Sequence, residues 1–330
     1  MLPSPARRRP VAHDTDAPVV AGNATFHILL NAGSGHHDET DRRAVIESIF
    51  AAAGRRCVIR TIDDPAALPG MARDIVERAS RDGDVVVAAG GDGTINAVAQ
   101  AAVAGGCAFG VLPQGTFNYF GRTHSIPQEL DAAARQLLES SPTPVQVGRV
   151  NDRVFLVNAS LGLYPRLLED REAYKRHYGR SRLVALWAGI VTIARGQRSL
   201  RIVVDLDGQP RKLKTPTVFI GNNRLQLEQI GISESTVVEQ GQLAAILLAP
   251  VGPLVMLWLL MRGAFGRLGD ARHVVNFAFR SLTVRPAHGY AVRRMKVATD
   301  GEVGWMHTPI EFSVSPKPLW LMLPRAPVST

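Results

Sequence analysis

The sequence predicts a two-domain α/β protein, with an amino-terminal parallel α/β domain and a carboxy-terminal domain rich in antiparallel strands. Between residues 25 and 140, short apolar runs alternate with longer helical patterns, as in a parallel sheet covered by helices. After Pro142 and Pro144, closely spaced apolar runs are separated by Gly, Asn, Asp and Pro, which is typical of antiparallel strands. The chain has 330 residues, more than one domain usually contains. We therefore expect a disordered tail at 1–24, an α/β domain at 25–142 and a β-rich domain at 143–325.

Apolar periodicity predicts the individual elements of both domains. In the first domain, strands are expected at 26–30, 57–61, 85–89 and 109–112, and helices at 41–53, 71–80 and 95–104. Gly54 and Gly105 stand where helix ends favour glycine. In the second domain, strands are expected at 145–150, 154–159, 200–206, 217–220, 243–248, 282–284 and 292–298, with a helix at 181–194.

Two segments raise the question of a membrane or export signal. The apolar stretch 243–261 is long enough for a membrane span, but Pro250, Gly252 and Pro253 interrupt it. A buried strand, a turn and a short apolar helix are the favoured interpretation, and a span is the alternative. The arginines near the amino terminus precede no apolar core of the length an export signal needs.

The net charge of +9 favours anionic partners: nucleotide phosphates, acidic lipids or nucleic acid. Nucleic acid is the weakest of these, because aromatic residues make up only 6% of the chain and no basic strip with interleaved aromatics occurs. The chain has only two cysteines, Cys57 and Cys107, which fits a reducing cytoplasm.

The segment Gly90, Gly91, Asp92, Gly93 and Thr94 lies directly after a predicted strand and before a predicted helix. Glycines let the backbone approach a ligand closely, and the free amides at a helix start favour a phosphate. A carboxylate there can hold Mg²⁺ that arrives with a nucleotide. We therefore expect a phosphate-bearing ligand to bind here, with Asp92 as a transient ligand of the Mg²⁺ that accompanies it. The alternative is an ordinary glycine turn in which Asp92 caps the helix.

Two further polar loops follow neighbouring strands, and ligands of open parallel sheets bind at the carboxyl ends of the strands. A Walker phosphate loop and a dinucleotide fingerprint are both absent from the sequence. The residues expected to contact the phosphate-bearing ligand from these two loops are Asn31, Gly33, Ser34 and Gly35 in the first and Gly115, Thr116 and Asn118 in the second.

A third motif, Asp300-Gly301-Glu302, lies far along the chain between two predicted strands. Asp-Gly alone is a common hairpin turn. Transfer of a phosphoryl group to a hydroxyl is helped, however, by a carboxylate that accepts the hydroxyl proton. Glu302 is the candidate for this base.

Together, GGDGTIN at 90–96, LPQGTFN at 112–118, VNASLGLYPRL at 157–167 and DGE at 300–302 resemble the diacylglycerol kinase catalytic family, in particular its bacterial lipid kinases of the diacylglycerol and sphingosine kinase type. The resemblance implies the fold shared by NAD kinases and diacylglycerol kinases, in which ATP and lipid meet between the two domains. It implies an ATP- and Mg²⁺-dependent lipid kinase of phospholipid biosynthesis that phosphorylates diacylglycerol or a related lipid alcohol. By motif, ATP would contact Thr61, Thr116 and the stretch that includes Ile95 and Asn96, and Glu302 would accept the proton.

The sequence departs from the family pattern at two places. Ala32 replaces a proline of the first loop, which changes its stiffness more than its chemistry. Gln240 replaces an aspartate that holds a structural Mg²⁺ in many members, and a neutral amide is a poor ligand for this ion. We therefore predict no structural Mg²⁺ site, and whether Glu239 compensates is left open.

Apolar stretches flanked by arginines predict contact with an anionic membrane, so that the protein would act in the cytoplasm at the inner membrane face. Packed helices with solvated ends produce the same pattern, and the oligomeric state is left open, with a homodimer as one option. These stretches are 183–191, near Arg180, Arg182 and Arg195, and 254–261, followed by Arg262 and Arg267.

Two other functions stay as alternatives. A kinase for a soluble substrate such as NAD shares the GGDGT loop, but the segment 157–165 and the loop 31–35 count against it. The second alternative is a non-catalytic lipid- or nucleotide-binding protein, which needs neither a metal ligand nor a catalytic base. The presence of both Asp92 and Glu302 therefore counts against the second alternative.

Overall fold

The computed structural model describes residues 17–33, 39–169, 199–206, 209–231, 238, 240–264, 273–287 and 294–325. Several sequence predictions lie outside these residues. They are the helix at 181–194, most of the tail at 1–24, the apolar stretch 183–191 with its flanking arginines, Arg267, and the ligand candidates Ser34, Gly35 and Glu239.

The first sheet contains the four predicted parallel strands and two strands from later in the chain. One of the later strands, residues 319–324, pairs parallel to the predicted strand 109–112. The other, residues 140–145, pairs antiparallel to the strand 319–324. In spatial order the strands are β2 (Arg56–Ile62), β1 (Thr25–Asn31), β3 (Val85–Gly90), β4 (Ala108–Pro113), β18 (Leu319–Pro324) and β5 (Ser140–Val145).

Helices cover both faces of this sheet, which is why every residue of β3 and β4 is buried. The three predicted helices are confirmed, with ends shifted by one to three residues, and two short helices follow β4. The helices are α1 (Glu39–Ala52), α2 (Leu68–Asp82), α3 (Asp92–Gly105), α4 (Tyr119–Thr123) and α5 (Leu130–Leu138).

The glycine that ends α3 is not the predicted one. Gly106 takes the left-handed conformation, with φ 69°, and its amide donates to the carbonyl of Ala102. Gly105 is the last helical residue, and a side chain there would overlap Val76 of α2. Gly105 therefore permits close packing of α2 on α3, whereas Gly54 has φ 63° at the end of α1 as expected.

The remaining strands form two antiparallel sheets, as the sequence predicts. The second sheet has the spatial order β10 (Gln209–Thr215), β9 (Leu200–Leu206), β14 (Ser281–Pro286), β17 (Ile310–Val314), β6 (Gly148–Val150) and β7 (Arg153–Phe155). The third has the order β13 (Val274–Phe279), β12 (Leu243–Leu248), β11 (Thr217–Gly221), β8 (Asn158–Gly162), β15 (Arg294–Thr299) and β16 (Glu302–His307). Apolar side chains from both sheets share one core, so the sheets pack face to face.

Two of the predicted strands are each divided in the structure. The run 145–150 splits into β5 and β6, which lie in different sheets, and the run 154–159 splits into β7 and β8. Apolar periodicity does not distinguish a continuous strand from one that changes sheets, because apolar side chains are buried on both sides of each break. Strand β10 was missed because its sequence QPRKLKT is polar and it lies exposed at a sheet edge.

The apolar stretch 243–261 forms β12, a turn and a helix, α7 (Pro253–Ala264), as expected. A shorter helix, α6 (Arg224–Gln229), precedes it. Met256 and Leu259 of α7 are buried. In the part of the chain that the structure describes, no helix is long and apolar enough to cross a membrane.

The chain returns to the first sheet at its end, because β18 lies between β4 and β5. The domain limits expected from the sequence, 25–142 and 143–325, remain predictions. The first sheet and its helices enclose one hydrophobic core, and the two antiparallel sheets enclose another.

Candidate active site

The loops after β1, β3 and β4 meet at one edge of the first sheet, because these strands are parallel. The amide of Gln114 donates to the carbonyl of Gly90 at 2.9 Å. A Cβ on Gly115 would lie 2.9 Å from the Cα of Gly91, so no larger residue fits at position 115 without moving the neighbouring loop. The glycine loop and the loop after β4 are therefore in direct backbone contact.

Helix α3 begins inside the glycine loop with nothing capping its first amides. Gly91 precedes the helix and supplies no side-chain cap, and the first helical hydrogen bond joins the amide of Ile95 to the carbonyl of Gly91. The amides of the first turn have no partner within a helix and carry the positive end of its dipole. This end of α3 can bind a phosphate group.

Asn31 links the first loop to the glycine loop. Its Nδ2 donates to Thr94 Oγ1 at 2.8 Å, and its Oδ1 accepts from the amide of Gly33 at 3.0 Å. Thr94 is buried, and a Cβ on Gly90 would lie 2.7 Å from Thr94 Oγ1. Asn31 and Thr94 therefore hold the two loops in register, and Gly90 is required for that packing.

Arg42 of α1, which sequence reasoning missed, also connects the loops. It is only 5% exposed. Its guanidinium donates to the carbonyl of Ala32 at 3.0 Å and to Gln114 Oε1 at 2.5 Å. No local signal in the sequence distinguishes this arginine from those on the exposed faces of helices, since its partners lie in two distant loops.

Asn118 shapes the loop after β4. It has φ 49°, a left-handed conformation that asparagine tolerates better than most residues. Its Oδ1 accepts from the amide of Gly115 at 2.8 Å, while its Nδ2 donates to the carbonyl of Gly115 at 2.9 Å and to Gln128 Oε1 at 2.8 Å. Thr116 lies exposed in this loop.

The carboxylate of Asp92 turns towards the start of α4. Burial raises the pKa of Asp92, and the backbone amides of Asn118, Phe120 and Tyr119 oppose this by lowering it. Its Oδ1 is buried and has no hydrogen-bond partner. An unpartnered buried carboxylate oxygen is suited to a cation or a water that carries one. In the described residues, no group of three or more His, Cys, Asp or Glu side chains could hold a metal by itself.

Glu302 faces the start of α3 from the third sheet. It begins β16 after a tight turn in which Asp300 has φ 48° and Gly301 has φ 92°. A Cβ on Gly93 would lie 3.6 Å from Glu302 Oε1. Arg153 Nη2 lies 3.3 Å from Glu302 Oε2, but the two side chains are 43% and 58% exposed, so solvent screens this ion pair.

A cavity of about 690 Å³ is lined by both the start of α3 and Glu302. The loop that follows β2 contributes Pro65 to its wall, and the first residue of α2, Leu68, also lines it. The cavity is also lined by Asn31, Gly91, Gly93, Thr94, Arg153 and Glu302.

Asp300 lies two residues before Glu302 and is half-buried, although sequence reasoning treated it only as part of a turn. Its Oδ1 accepts from the amides of Val157 and Asn158, both at 2.9 Å. Its Oδ2 accepts from the amide of Leu156 at 2.7 Å and from Asn96 Nδ2 at 2.6 Å. Burial raises the pKa of Asp300 to about 6, against the lowering effect of these four donors.

The other residues expected to bind ATP have varied surroundings. Ile95 is completely buried, and the Asn96 amide is committed to Asp300 and to the carbonyl of Val154. Thr61 is half-buried and lies in β2, opposite Leu30 of β1. Strand β1 therefore separates Thr61 from β3 and the glycine loop that follows it. Gln240, which replaces the family's metal-binding aspartate, is exposed.

Comparison with known proteins finds sequence matches over part of the chain. Residues 25–150 match the family model of the diacylglycerol kinase catalytic domain. A protein of Pseudomonas aeruginosa named "Probable lipid kinase YegS-like" is 42% identical over 114 residues, which are 33% of this chain and 36% of that protein. A protein of Staphylococcus aureus named "Diacylglycerol kinase" is 40% identical over 89 residues, 26% of this chain and 28% of that protein. These alignments span about a third of the relatives' own length.

The likeness of fold extends further than the likeness of sequence. A crystal structure of a diacylglycerol kinase from Bacillus anthracis superposes with a TM-score of 0.65 at 18% identity, covering 93% of this chain and 98% of that one. The expected fold, a parallel α/β domain with an antiparallel β-rich domain, is therefore confirmed. Residues 25–150 are thus the part of this chain that resembles the diacylglycerol kinase catalytic domain in sequence.

Proposed function

We propose that this protein is an ATP- and Mg²⁺-dependent lipid kinase that phosphorylates a hydroxyl of diacylglycerol or a related lipid alcohol. One observation carries the proposal: Glu302 and the start of α3 line one cavity and approach each other closely, although they lie far apart in the sequence. The family match over residues 25–150 and the names of the relatives support the class of reaction.

The start of α3 and the loops around it bind the phosphates of ATP in this proposal. Amides of a helix start and of glycine loops stabilise charge on phosphoryl oxygens. Gly91, Gly93 and Thr94 line the cavity, and Asn31 holds their loop in place. Ile95 and Asn96 act through the packing of α3, whereas Thr61 and Thr116 are offered as contacts to other parts of the nucleotide.

Glu302 accepts the proton of the lipid hydroxyl as that oxygen attacks the terminal phosphorus of ATP. The new bond joins the lipid oxygen to phosphorus, the bond from phosphorus to the bridging oxygen of ADP breaks, and the proton goes to Glu302. A positioned base of this kind contributes roughly 10² to 10⁴ in rate. Arg153, 3.3 Å from Glu302, keeps a positive charge beside the carboxylate.

The residues present fit a Mg²⁺ ion that enters with ATP. Asp92 has a buried carboxylate oxygen without a partner, and carboxylate and phosphate oxygens are the ligands that this ion prefers. Mg²⁺ bound with ATP neutralises charge on the phosphoryl groups. Asp92 would hold the ion, directly or through water, from the side of the glycine loop that faces α4.

The proposal extends to organisation and location. The nucleotide domain comprises residues 25–142 and the lipid-substrate domain residues 143–325, with the last strand of the chain, β18, completing the first sheet. Because the substrate is a lipid, the enzyme works at the cytoplasmic face of the membrane.

Transfer of radiolabelled phosphate from the terminal position of ATP tests the proposal. The acceptors are diacylglycerol and sphingoid bases in mixed micelles, and NAD in solution, each with and without Mg²⁺. Glu302→Gln should lower kcat by about 10² or more. Asp92→Asn should raise the Mg²⁺ concentration needed for half-maximal rate, and Glu311→Gln, at an exposed carboxylate on β17, is the matched control.

Each outcome of this assay has a distinct meaning. Labelled lipid that is lost in Glu302→Gln but kept in Glu311→Gln supports the lipid kinase and names its substrate. Label found on NAD alone would indicate a kinase with a soluble substrate. Absence of any product from the folded wild type would favour a binding protein.

A further inference from the structure

The segment Leu156 to Asn158 is the place where the chain passes from β7 to β8, and thus from the second sheet to the third. It has no regular secondary structure of its own at 156 and 157, yet all three residues are buried. Buried backbone groups must find partners, because an unpaired one costs about as much as a lost hydrogen bond. The partners of this segment therefore determine how the sheets meet.

Asp300 supplies most of those partners. Its carboxylate accepts from the amides of all three residues, at 2.7, 2.9 and 2.9 Å, and its own amide donates to the carbonyl of Asn158 at 2.9 Å. Asn222 satisfies the other side, since its Nδ2 donates to the carbonyl of Leu156 at 3.0 Å and its amide donates to that of Val157 at 2.9 Å. The Asp300 carboxylate thus binds all three amides of the crossing between the sheets, and Asn222 binds two of its carbonyls.

The same carboxylate also reaches α3. Asn96 Nδ2 donates to Asp300 Oδ2 at 2.6 Å, a contact between residues 204 positions apart in sequence. Asn96 lies one turn after Gly93 on α3, and Asp300 lies two residues before Glu302. The hydrogen bond is therefore a short link between the helix start and the carboxylate that line the cavity.

We propose that Asp300 is the positioning residue of the site: by binding Asn96 and the amides of residues 156–158 together, it sets the distance between Glu302 and the start of α3. It touches no substrate and acts through Asn96 and the turn that carries Glu302. The inference rests on the proposed function for its kinetic consequence, whereas the contacts themselves are independent of it.

The test compares two links between α3 and the rest of the protein. Asn96→Ala removes the link to Asp300, and Lys317→Ala removes a link of similar kind at the other end of α3, where Lys317 Nζ donates to the carbonyl of Ala104 at 3.1 Å. Asn96→Ala should lower kcat by about 10- to 100-fold with the KM for ATP changed less than about threefold, because a misplaced base slows chemistry more than binding. Lys317→Ala should leave both constants unchanged.

A double-mutant cycle separates positioning from simple loss of structure. If Asn96 and Asp300 act as one unit, Asp300→Asn combined with Asn96→Ala should lower kcat no further than Asp300→Asn alone. Additive losses, or a kcat of Asn96→Ala equal to that of Lys317→Ala, would overturn the inference. A rise in the KM for ATP with unchanged kcat would also overturn it, since Asn96 would then be a direct nucleotide contact.

Amide hydrogen exchange supplies a readout that does not depend on activity. In Asp300→Asn the amides of residues 156–158 should exchange at least about tenfold faster than in the wild type, whereas Lys317→Ala should leave them protected. Unchanged exchange would refute the role of Asp300 at the crossing. A wild type that transfers no phosphate to any acceptor would instead refute the proposed function, so the two failures are distinguishable.

Discussion

Replacing Gly93 by alanine should separate the stability of the protein from its activity. Gly93 is the second residue of α3, in a backbone conformation open to any residue, and an added Cβ would lie 3.6 Å from Glu302 Oε1, an ordinary contact distance. Alanine favours a helix over glycine by about 0.5–1 kcal/mol. We therefore expect Gly93→Ala to be folded and as stable as the wild type, or more stable by up to about 1 kcal/mol.

Activity should change in the opposite direction. The new methyl group would stand between the start of α3 and Glu302, where the transferred phosphoryl group passes in the proposed reaction. We expect kcat/KM to fall by about 100-fold or more, which corresponds to about 2.7 kcal/mol of lost transition-state stabilisation.

Gly106→Ala, at the other end of the same helix, is the matched control. Gly106 has φ 69°, and nothing lies within 4 Å of a Cβ added there. The left-handed conformation should cost alanine about 1–2 kcal/mol of stability, with no effect on activity, because this end of α3 is remote from the cavity. Urea unfolding followed by circular dichroism measures the first quantity, and phosphoryl transfer to diacylglycerol in mixed micelles measures the second.

Two results would refute the reasoning: retained activity in Gly93→Ala, or lost activity in Gly106→Ala. Activity of Gly93→Ala within about threefold of the wild type would mean that the phosphoryl group does not pass between α3 and Glu302. Equal loss of activity in folded Gly106→Ala would mean that catalysis follows the stability of α3, not the space beside Gly93.

Three further predictions concern pH, loop geometry and packing. Because burial raises the pKa of Asp300 to about 6 from 3.8, the stability from this group is full below pH 3.8 and lost as the pH rises through about 6. The stability of Asp300→Asn relative to wild type should therefore improve by up to about 3 kcal/mol between pH 4 and pH 7 in urea unfolding, and a flat difference would contradict the raised pKa. Asn118→Ala should lower the free energy of unfolding by about 2–4 kcal/mol in the same assay, and Asn118→Gly should lower it by less. Both variants lose the side-chain hydrogen bonds, but glycine adopts the left-handed conformation without strain. Equal losses of stability would contradict a strained backbone at this position. Gly148→Ala should cost about 1–3 kcal/mol, because its Cβ would overlap the Phe155 ring, while kcat of the folded protein stays unchanged.

Much of the first sheet and its helices follows from local pattern. Runs such as 85–89 are apolar without alternation, and only strands buried on both faces can accommodate them. The glycine-rich loops follow these strands directly, and parallel strands end at one edge of the sheet, so their meeting could be predicted before the structure was known. The candidate base Glu302 was identified by motif and by the chemistry that the reaction needs.

Other features required the tertiary structure. Arg42 was missed because its partners lie in loops distant from α1, and Asp300 was read only as a turn residue although it is a fully satisfied buried carboxylate. Strand β10 is polar and exposed, so its place at the sheet edge follows from pairing with β9 and not from hydrophobicity.

The sequence by itself determined the order of the elements and the chemistry of the loops, because periodicity, turn residues and glycine requirements depend on near neighbours in the chain. Only the tertiary structure decided which side chains became buried partners across the sheets. The contact of Asn96 with Asp300 forms between residues 204 positions apart, and its existence depends on how two sheets and a helix pack around one carboxylate. No local pattern encodes that packing, since burial and hydrogen bonding of a polar group are properties of everything that surrounds it.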